Sequence, residues 1–279
     1  MKLSAVISYR DCIRTGYPFL ESILSVLPIV DEYLINDGGS IDGTLEATKR
    51  LVEMYPDKII LFQIKDYPSD HWQCVSEQYN KLLNDATGDW IFMGNADELM
   101  HEDDARKFRA KLEASPIDIL VYRHLRREVS NWWSEMGSYD YYPARTVRNI
   151  EGVFQSWASH GGDEFLVPEW RWLREPPECQ TLDGYMMWHY YMMFPENIFE
   201  KRKHDSEEVA TGDKERMIQY EWWKENKDKI KPPEWYGKKT VPDQPRSMQG
   251  LVGALRYYVR EEMFDRKWIQ EIYEGTVSQ

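Results

Sequence analysis

Two short acidic segments about sixty residues apart, Asp37-Gly38-Gly39-Ser40-Ile41-Asp42-Gly43-Thr44 and Asn95-Ala96-Asp97-Glu98, each follow an apolar run. Carboxylates are hard oxygen donors suited to Mg²⁺ or Mn²⁺. An ion held by Asp97 and Glu98 would neutralise the charge that develops on a departing diphosphate. Asp37 can accept hydrogen bonds from a ribose or a base, and Gly38 and Gly39 let the backbone approach a ring or a phosphate. Each segment also has an ordinary reading. Asp42 or Ser40 would cap a helix after a tight turn, and Asp97-Glu98 would supply an acidic first turn ahead of His101-Glu102-Asp103-Asp104. The recurrence of the two segments in strand order favours chemistry at the second.

Groups so far apart in the chain can act together only if the intervening elements bring them to one place. Leu3–Tyr9 and residues 32–36, 59–64 and 89–94 are rich in β-formers and end in polar or glycine positions. Residues 16–28, Thr44–Met54 and residues 69–86 carry apolar residues at helical spacing, as at Phe19, Leu20, Ile23, Leu24 and Leu27. Strands alternating with helices of this length predict βαβ units and a mostly parallel sheet. Right-handed crossovers then place the strand carboxyl ends on one rim, where open α/β sheets bind ligands.

A helix over residues 102–112 and a strand over 118–123 continue the pattern. Between residues 131 and 189 it changes to Trp, Tyr, Gly and Pro with short β-like pieces such as 141–147, which predicts a pocket built over the sheet. Beyond Pro195 the chain reads as helical and charged, broken by prolines, with a last helix over residues 248–273. The expected division is a catalytic domain over 1–195 and a helical C-terminal extension over 196–279.

The formal net charge of −13 opposes an extended nucleic-acid surface, because phosphate binding depends on clustered Lys and Arg. Cys12, Cys74 and Cys179 are odd in number and widely spaced, which predicts neither a disulfide framework nor a zinc site and points to a reducing, cytoplasmic setting. Arg10 and Asp11 interrupt the first apolar run too early for a secretory signal, and no run has the length of a transmembrane segment.

Taken together, VISYRD near the N-terminus, INDGGSIDGT and GDWIFMGNADE resemble the nucleotide-binding half of the family-2-like glycosyltransferases of GT-A fold. The resemblance is specific over residues 3–98, thinner to about 192 and weak beyond. It implies an α/β, GT-A-like, mostly parallel central sheet flanked by helices. It also implies metal-assisted, inverting transfer of a sugar from a nucleotide-diphosphate donor, UDP- or GDP-type, to an acceptor hydroxyl.

In that family the first acid of the glycine-containing motif contacts the nucleoside, which falls on Asp37. The last acid of the D-x-D-type motif reaches the metal and diphosphate, which falls on Asp97, with Ala96 before it. Asn95 stands where the family has Asp, and it can hydrogen-bond a ribose or water. Trp188-His189-Tyr190-Tyr191 is similar to a His-Tyr pair in a subset with an ADE-type metal motif, to which Arg145-Thr146-Val147-Arg148-Asn149 also bears a looser likeness. It implies His189 as a ligand beside Asp97 and Glu98, favouring Mn²⁺ over Mg²⁺; the ordinary reading is a satisfied core histidine. Ser8, Tyr9 and Asp11 resemble the loop that holds the base, and Gln78 and Asn80 a polar patch facing the nucleotide. Their ordinary readings are a polar strand exit and a solvated helix face.

An attacking hydroxyl needs a general base on the acceptor side. Asp163 and Glu164, in the SHGGDEF segment of the pocket-building region, are the candidates, with Asp140 in reserve. Trp132, Trp133, Trp157 and Trp172 are candidate platforms for the apolar face of a sugar ring. Two other readings stay open: a nucleotidyltransferase, although VISYRDCIRTG has only Gly16 and no glycine-rich basic phosphate loop, and a non-catalytic carbohydrate-binding module.

Overall fold

The computed structural model describes residues 1–15, 17–64, 71–100, 102–131, 134–135, 143–156, 164–166 and 179–189. In chain order the elements are β1 (Leu3–Tyr9), α1 (Cys12–Thr15), α2 (Phe19–Val26), β2 (Glu32–Asp37), α3 (Thr44–Met54), β3 (Ile59–Phe62), α4 (His71–Asp85) and β4 (Trp90–Met93). They continue as β5 (Glu98–Met100), α5 (Glu102–Glu113), β6 (Val121–Asn131), β7 (Ser134–Glu135), β8 (Ala144–Arg148), β9 (Phe154–Ser156), β10 (Glu164–Leu166) and β11 (Cys179–His189).

Among the described residues one sheet runs β3-β2-β1-β4-β8-β6-β11-β5, with β7 paired to β6 at the side, and β9 and β10 form a separate antiparallel pair. The β3-β2-β1-β4 half is wholly parallel. Beyond it β8 lies antiparallel between β4 and β6, β11 runs parallel to β6, and the short β5 closes antiparallel on β11.

Strand β1 is buried on both faces, which explains its nearly continuous apolar sequence. Leu3, Ala5, Ile7 and Tyr9 join a core with Phe19, Leu20, Ile23, Leu51 and Phe108 from α2, α3 and α5. Val6, one residue out of phase, joins Tyr79, Leu82 and Leu83 of α4. This period of two sends the side chains of Ser8 and Tyr9 to opposite layers.

Three features differ from the sequence expectation. Helix α2 begins at Phe19, with Pro18 in the capping position. A strand, β5, intervenes between Asp97 and α5, so this acidic pair is not the first turn of a helix. The region after residue 131 contributes β8 and β11 to the central sheet itself. A five-residue strand with two arginines is hard to read as a central strand, but both charges have tertiary partners. Arg148 lies over the Trp90 ring at 4.3 Å, and Arg145 reaches Glu98. Residues 196–279 lie outside the described residues. Among the described helices none is long and apolar enough to cross a membrane.

At the edge of the sheet away from the strand carboxyl ends, Ser4 Oγ donates to Glu32 Oε1 (2.5 Å) and accepts from Gly88 N (2.8 Å). Burial opposes ionisation of Glu32, but hydrogen bonds from Lys2, Ser4 and Thr87 outweigh it and hold the carboxyl down at about 2. A Cβ on Gly88 would sit 2.6 Å from Ser4 N, a backbone atom that cannot step aside. Gly88→Ala is therefore expected to cost about 1–3 kcal/mol, the usual range for overpacking, read as a lowered Tm in thermal unfolding.

His124 of β6 is fully buried against the rings of Phe92 and Phe108, at centroid distances of 5.7 and 4.8 Å. Its Nε2 pairs with Thr146 Oγ1 at 2.8 Å. Burial, and then the charge of Arg145, push its pKa down to about 3 from 6.5. The folded protein thus refuses a proton that the unfolded chain takes up below pH 6.5, so stability falls as pH drops from 6.5 towards 3. In His124→Gln the slope of the unfolding free energy between pH 6.5 and 5, measured by urea titration, is expected to flatten.

Candidate active site

The parallel strands deliver their carboxyl ends to one rim, and backbone hydrogen bonds extend the ladder past them. Gly38 N donates to Tyr9 O (2.8 Å) and Gly94 N to Val6 O (2.9 Å). Asp37, the last residue of β2, is fully buried opposite Tyr9. Its Oδ1 accepts from Gly39 N (2.9 Å) and Ser40 N (2.8 Å), closing a turn that Gly39 completes at φ 93°. Its Oδ2 is buried and meets no hydrogen-bond partner among the described residues. A charged acceptor left unsatisfied costs about 1–3 kcal/mol or more, so such an atom at a sheet rim calls for a donor from a ligand.

The other residues of this loop hold it in place. Asp11 adopts a left-handed backbone conformation at φ 51° and is fully buried. Its Oδ1 accepts from Ile41 N (2.9 Å), its Oδ2 from Arg14 Nη2 (3.1 Å), and its own N–H donates to Ser40 Oγ (2.9 Å). Asp42 takes Thr44 N at 3.0 Å and Arg14 N at 2.7 Å, while Thr44 Oγ1 accepts Ile13 N at 3.1 Å. The exposed amides at the start of α1 and α3 are thereby satisfied from the loop. Ser40 and Asp42 thus serve the loop itself, Asp42 holding the first amide of α3 although the capping position belongs to Gly43, while Asp37 Oδ2 has no hydrogen-bond partner among the described residues.

The electrostatics of Cys12 locate the fourth acid. This buried thiol at the start of α1 has its pKa pushed up, first by burial and then by the negative charges of Asp42, Asp37, Asp97 and Asp11. Carboxylates from the exits of β1, β2 and β4 and from the β2–α3 loop therefore all lie within electrostatic reach of this thiol. Asp97 itself is 8 % exposed, and Asn95 and Ala96 are half-buried. Arg14 and Arg10 offset the charge of Asp11, and the carboxylates of Asp37 and Asp97 are hard oxygen donors of the type that suits a divalent cation.

The turn from Asn95 to Glu98 is fixed from several sides. Glu98 N donates to Asn95 O (3.2 Å), which also accepts Ser22 Oγ from α2 (2.6 Å). Asn95 Nδ2 reaches Glu98 Oε1 (3.3 Å), and the same oxygen accepts Arg145 Nη2 at 2.7 Å. Glu98, expected as a metal ligand, thus has one oxygen committed to an arginine. His189 ends β11 at the register position directly opposite Glu98, so the backbone brings the third expected ligand to the residue beside Asp97. Among the described side chains no three His, Cys, Asp or Glu residues are gathered as a complete metal set.

Ser8, Gln78 and Asn36 form a polar triangle on the α4 side. Ser8 Oγ pairs with Gln78 Oε1 at 2.7 Å, and Asn36 Nδ2 donates to both. Gln78 is buried, which excludes the solvated-face reading. Tyr9 turns its ring into the other layer, edge-on to Phe19 with its hydroxyl on Thr48 Oγ1 (2.7 Å), and meets the loop through its carbonyl alone.

Glu164 lies on β10 with its backbone opposite Ser156. Asp163, Asp140, Trp132, Trp133, Trp157 and Trp172 fall outside the described residues. Sequence reasoning missed Asn36, Ser22 and Arg145 as partners. The signal available for Asn36 and Arg145 was a polar or charged residue inside an otherwise buried strand. A cleft of about 680 Å³ at the opposite end of the sheet, lined by Ile29, Asp31, Tyr55, Lys58 and Arg109 among others, contains none of these residues.

The family model for glycosyl transferase family 2 matches residues 4–163. A Bacillus subtilis (strain 168) protein named as a glycosyltransferase, EpsE, is 33% identical over 123 residues, covering 44% of this chain and 40% of that protein. The chain thus aligns with less than half the length of this relative. Among solved structures, S. aureus TarS 1–349 in complex with UDP-GlcNAc matches with a TM-score of 0.47 and 14% identity, over 100% of this chain and 88% of the other. Mycobacterium tuberculosis glucosyl-3-phosphoglycerate synthase with Mn²⁺ and UDP-glucose matches with a TM-score of 0.34 and 19% identity, over 45% and 44%. The assignment rests on the sequence match and not on these superpositions: with the family model spanning more than half of its length, the chain belongs to glycosyl transferase family 2 and carries its GT-A arrangement of a largely parallel sheet between helices.

Proposed function

We propose that the protein transfers a sugar from a nucleotide-diphosphate donor to an acceptor hydroxyl, inverting the anomeric centre, with Mn²⁺ or Mg²⁺ assistance. The observation that carries this reading is the buried, unpartnered Oδ2 of Asp37 at the rim where the Asp97 turn also ends. A nucleoside hydroxyl or ring N–H supplies the donor that this oxygen lacks. Gly39, with no side chain, leaves the approach open. Ser8, Gln78 and Asn36 form a preorganised polar patch on the α4 side of the same strand ends, whose fixed hydrogen-bond pattern would discriminate between bases. The family match supports sugar transfer over nucleotidyl transfer.

Asp97 would hold the cation, with His189 as a further ligand on the strand that faces the turn. When bound, the ion neutralises charge on the diphosphate. Asn95 remains a hydrogen-bonding group beside it. On the acceptor side Asp163 or Glu164 takes the proton of the attacking hydroxyl. The new C1–O bond forms as the C1–O bond to the diphosphate breaks, and the leaving group departs with that electron pair.

Two outcomes test this reading. Asp97→Ala is expected to lower kcat/KM for metal-dependent donor hydrolysis or transfer by about 100-fold or more, since Lewis-acid charge stabilisation is worth several kcal/mol. Its Tm is measured alongside, so that a loss of folding is separated from a loss of metal-assisted turnover. Full activity would remove the metal assignment. Asp37→Asn keeps an oxygen for the Gly39 and Ser40 amides but replaces the reserve acceptor with an amide, and it should weaken UDP or GDP binding about tenfold or more in calorimetry. An unchanged Kd for both nucleotides would show that the oxygen serves no ligand.

A further inference from the structure

Arg145 is fully buried on β8, and its Nη2 lies 2.7 Å from Oε1 of Glu98, whose side chain is 1% exposed. The two residues are 47 positions apart and lie on strands that are not neighbours in the sheet. A buried ion pair is a poor device for stability, because desolvation of both charges offsets their attraction, and apolar residues of similar volume often serve the fold as well or better. Its place in the interior points to what it positions. Strand β5 has only three residues, and Glu98 is its first, directly after Asp97. The Glu98 oxygen that takes the guanidinium also takes Asn95 Nδ2, so one oxygen ties both ends of the Asn95–Glu98 turn to a fixed point in the central sheet. Ser22 holds the same turn from α2.

We propose that Arg145 is a positioning residue for the Asp97 turn, acting through Oε1 of Glu98, which serves as the strut of the metal and diphosphate site. The inference rests on the glycosyltransferase reading for its functional consequence. Groups behind a ligand that fix its orientation commonly change metal affinity by about 10- to 100-fold when removed. A one-sided deletion would strand a buried charge, so the pair is best replaced as a whole.

The test compares the parent full-length chain with Arg145→Met/Glu98→Met and with Arg145→Lys. Three measurements are made: Tm, amide hydrogen exchange over the Asn95–Glu98 turn in the metal-free protein, and the Kd of UDP or GDP with and without Mn²⁺. The double variant is expected to fold with a Tm near the parent's and to exchange the turn amides faster. It should weaken Mn²⁺-dependent nucleotide binding about 10- to 100-fold. Arg145→Lys, which keeps the cation, should recover most of both effects.

Weaker binding with unchanged metal-free exchange would overturn the proposal, because Glu98 would then be a ligand. Unchanged exchange and unchanged binding would overturn it too. A double variant that does not fold would show that the pair carries the fold and not the turn. A parent that binds neither nucleotide with Mn²⁺ would defeat the functional reading, while the exchange comparison would still decide the strut.

Discussion

Like charges gathered at one end of a parallel sheet are the constraint around which the rest of this molecule is arranged. Three strand exits and one loop bring Asp11, Asp37, Asp42 and Asp97 close enough for each to raise the pKa of the Cys12 thiol. Each carboxylate tolerates this crowding only as far as its own partners allow. Asp11 is saturated by a loop amide and by Arg14, with Arg10 3.5 Å away, and Asp42 by the amides of Arg14 and Thr44. Asp37 is half-satisfied. The unevenness is informative: Asp11 and Asp42, which maintain the loop, have both oxygens hydrogen-bonded, whereas Asp37 at the end of the central strand pair has one oxygen without a partner among the described residues.

Rigid support comes from the layers behind that rim. The loop after β2 is pinned by a residue held at a positive φ that is costly for any side chain but glycine, a strain that persists only where the surroundings over-determine it. Here the surroundings are the paired hydrogen bonds between Asp11 and the Ser40-Ile41 backbone and side chain. The turn after β4 is pinned by Ser22 from one layer and by Arg145 through Glu98 from the sheet. Arg145 also lowers the proton affinity of His124, which packs against Phe92 of β4. Arg145 and Glu98 thus place a buried ion pair behind the turn that follows β4, while the α4 layer contributes apolar packing and a neutral amide-hydroxyl triangle.

Much of this was legible from residue pattern. The boundaries of β1 and α3 coincide with the sequence expectation, because a buried strand and an amphipathic helix each carry their own period. The turn at Asp37 was legible because glycines and short polar residues announce it chemically. The pairing of β8 between β4 and β6 was not. Its arginines contradict a central strand until Trp90 and Glu98 are seen to receive them, and such partners lie far away in the chain. Tyr9 shows what the resemblance to a base-holding loop does not specify: strand alternation turns its ring into the core, and Ser8 faces the other layer.

What the amino-acid order settled by itself was the family and the succession of elements from β1 to β4, since both depend on residue types and local periodicity. Which acids are spent on holding loops and which keep an oxygen available was decided by tertiary structure. So was the meeting of His189 with the Asp97 turn across β11 and β5, and the commitment of Glu98 to Arg145. The physical reason is that hydrogen-bond capacity is a finite property of each atom. How it is divided depends on neighbours that the chain brings into range only on folding.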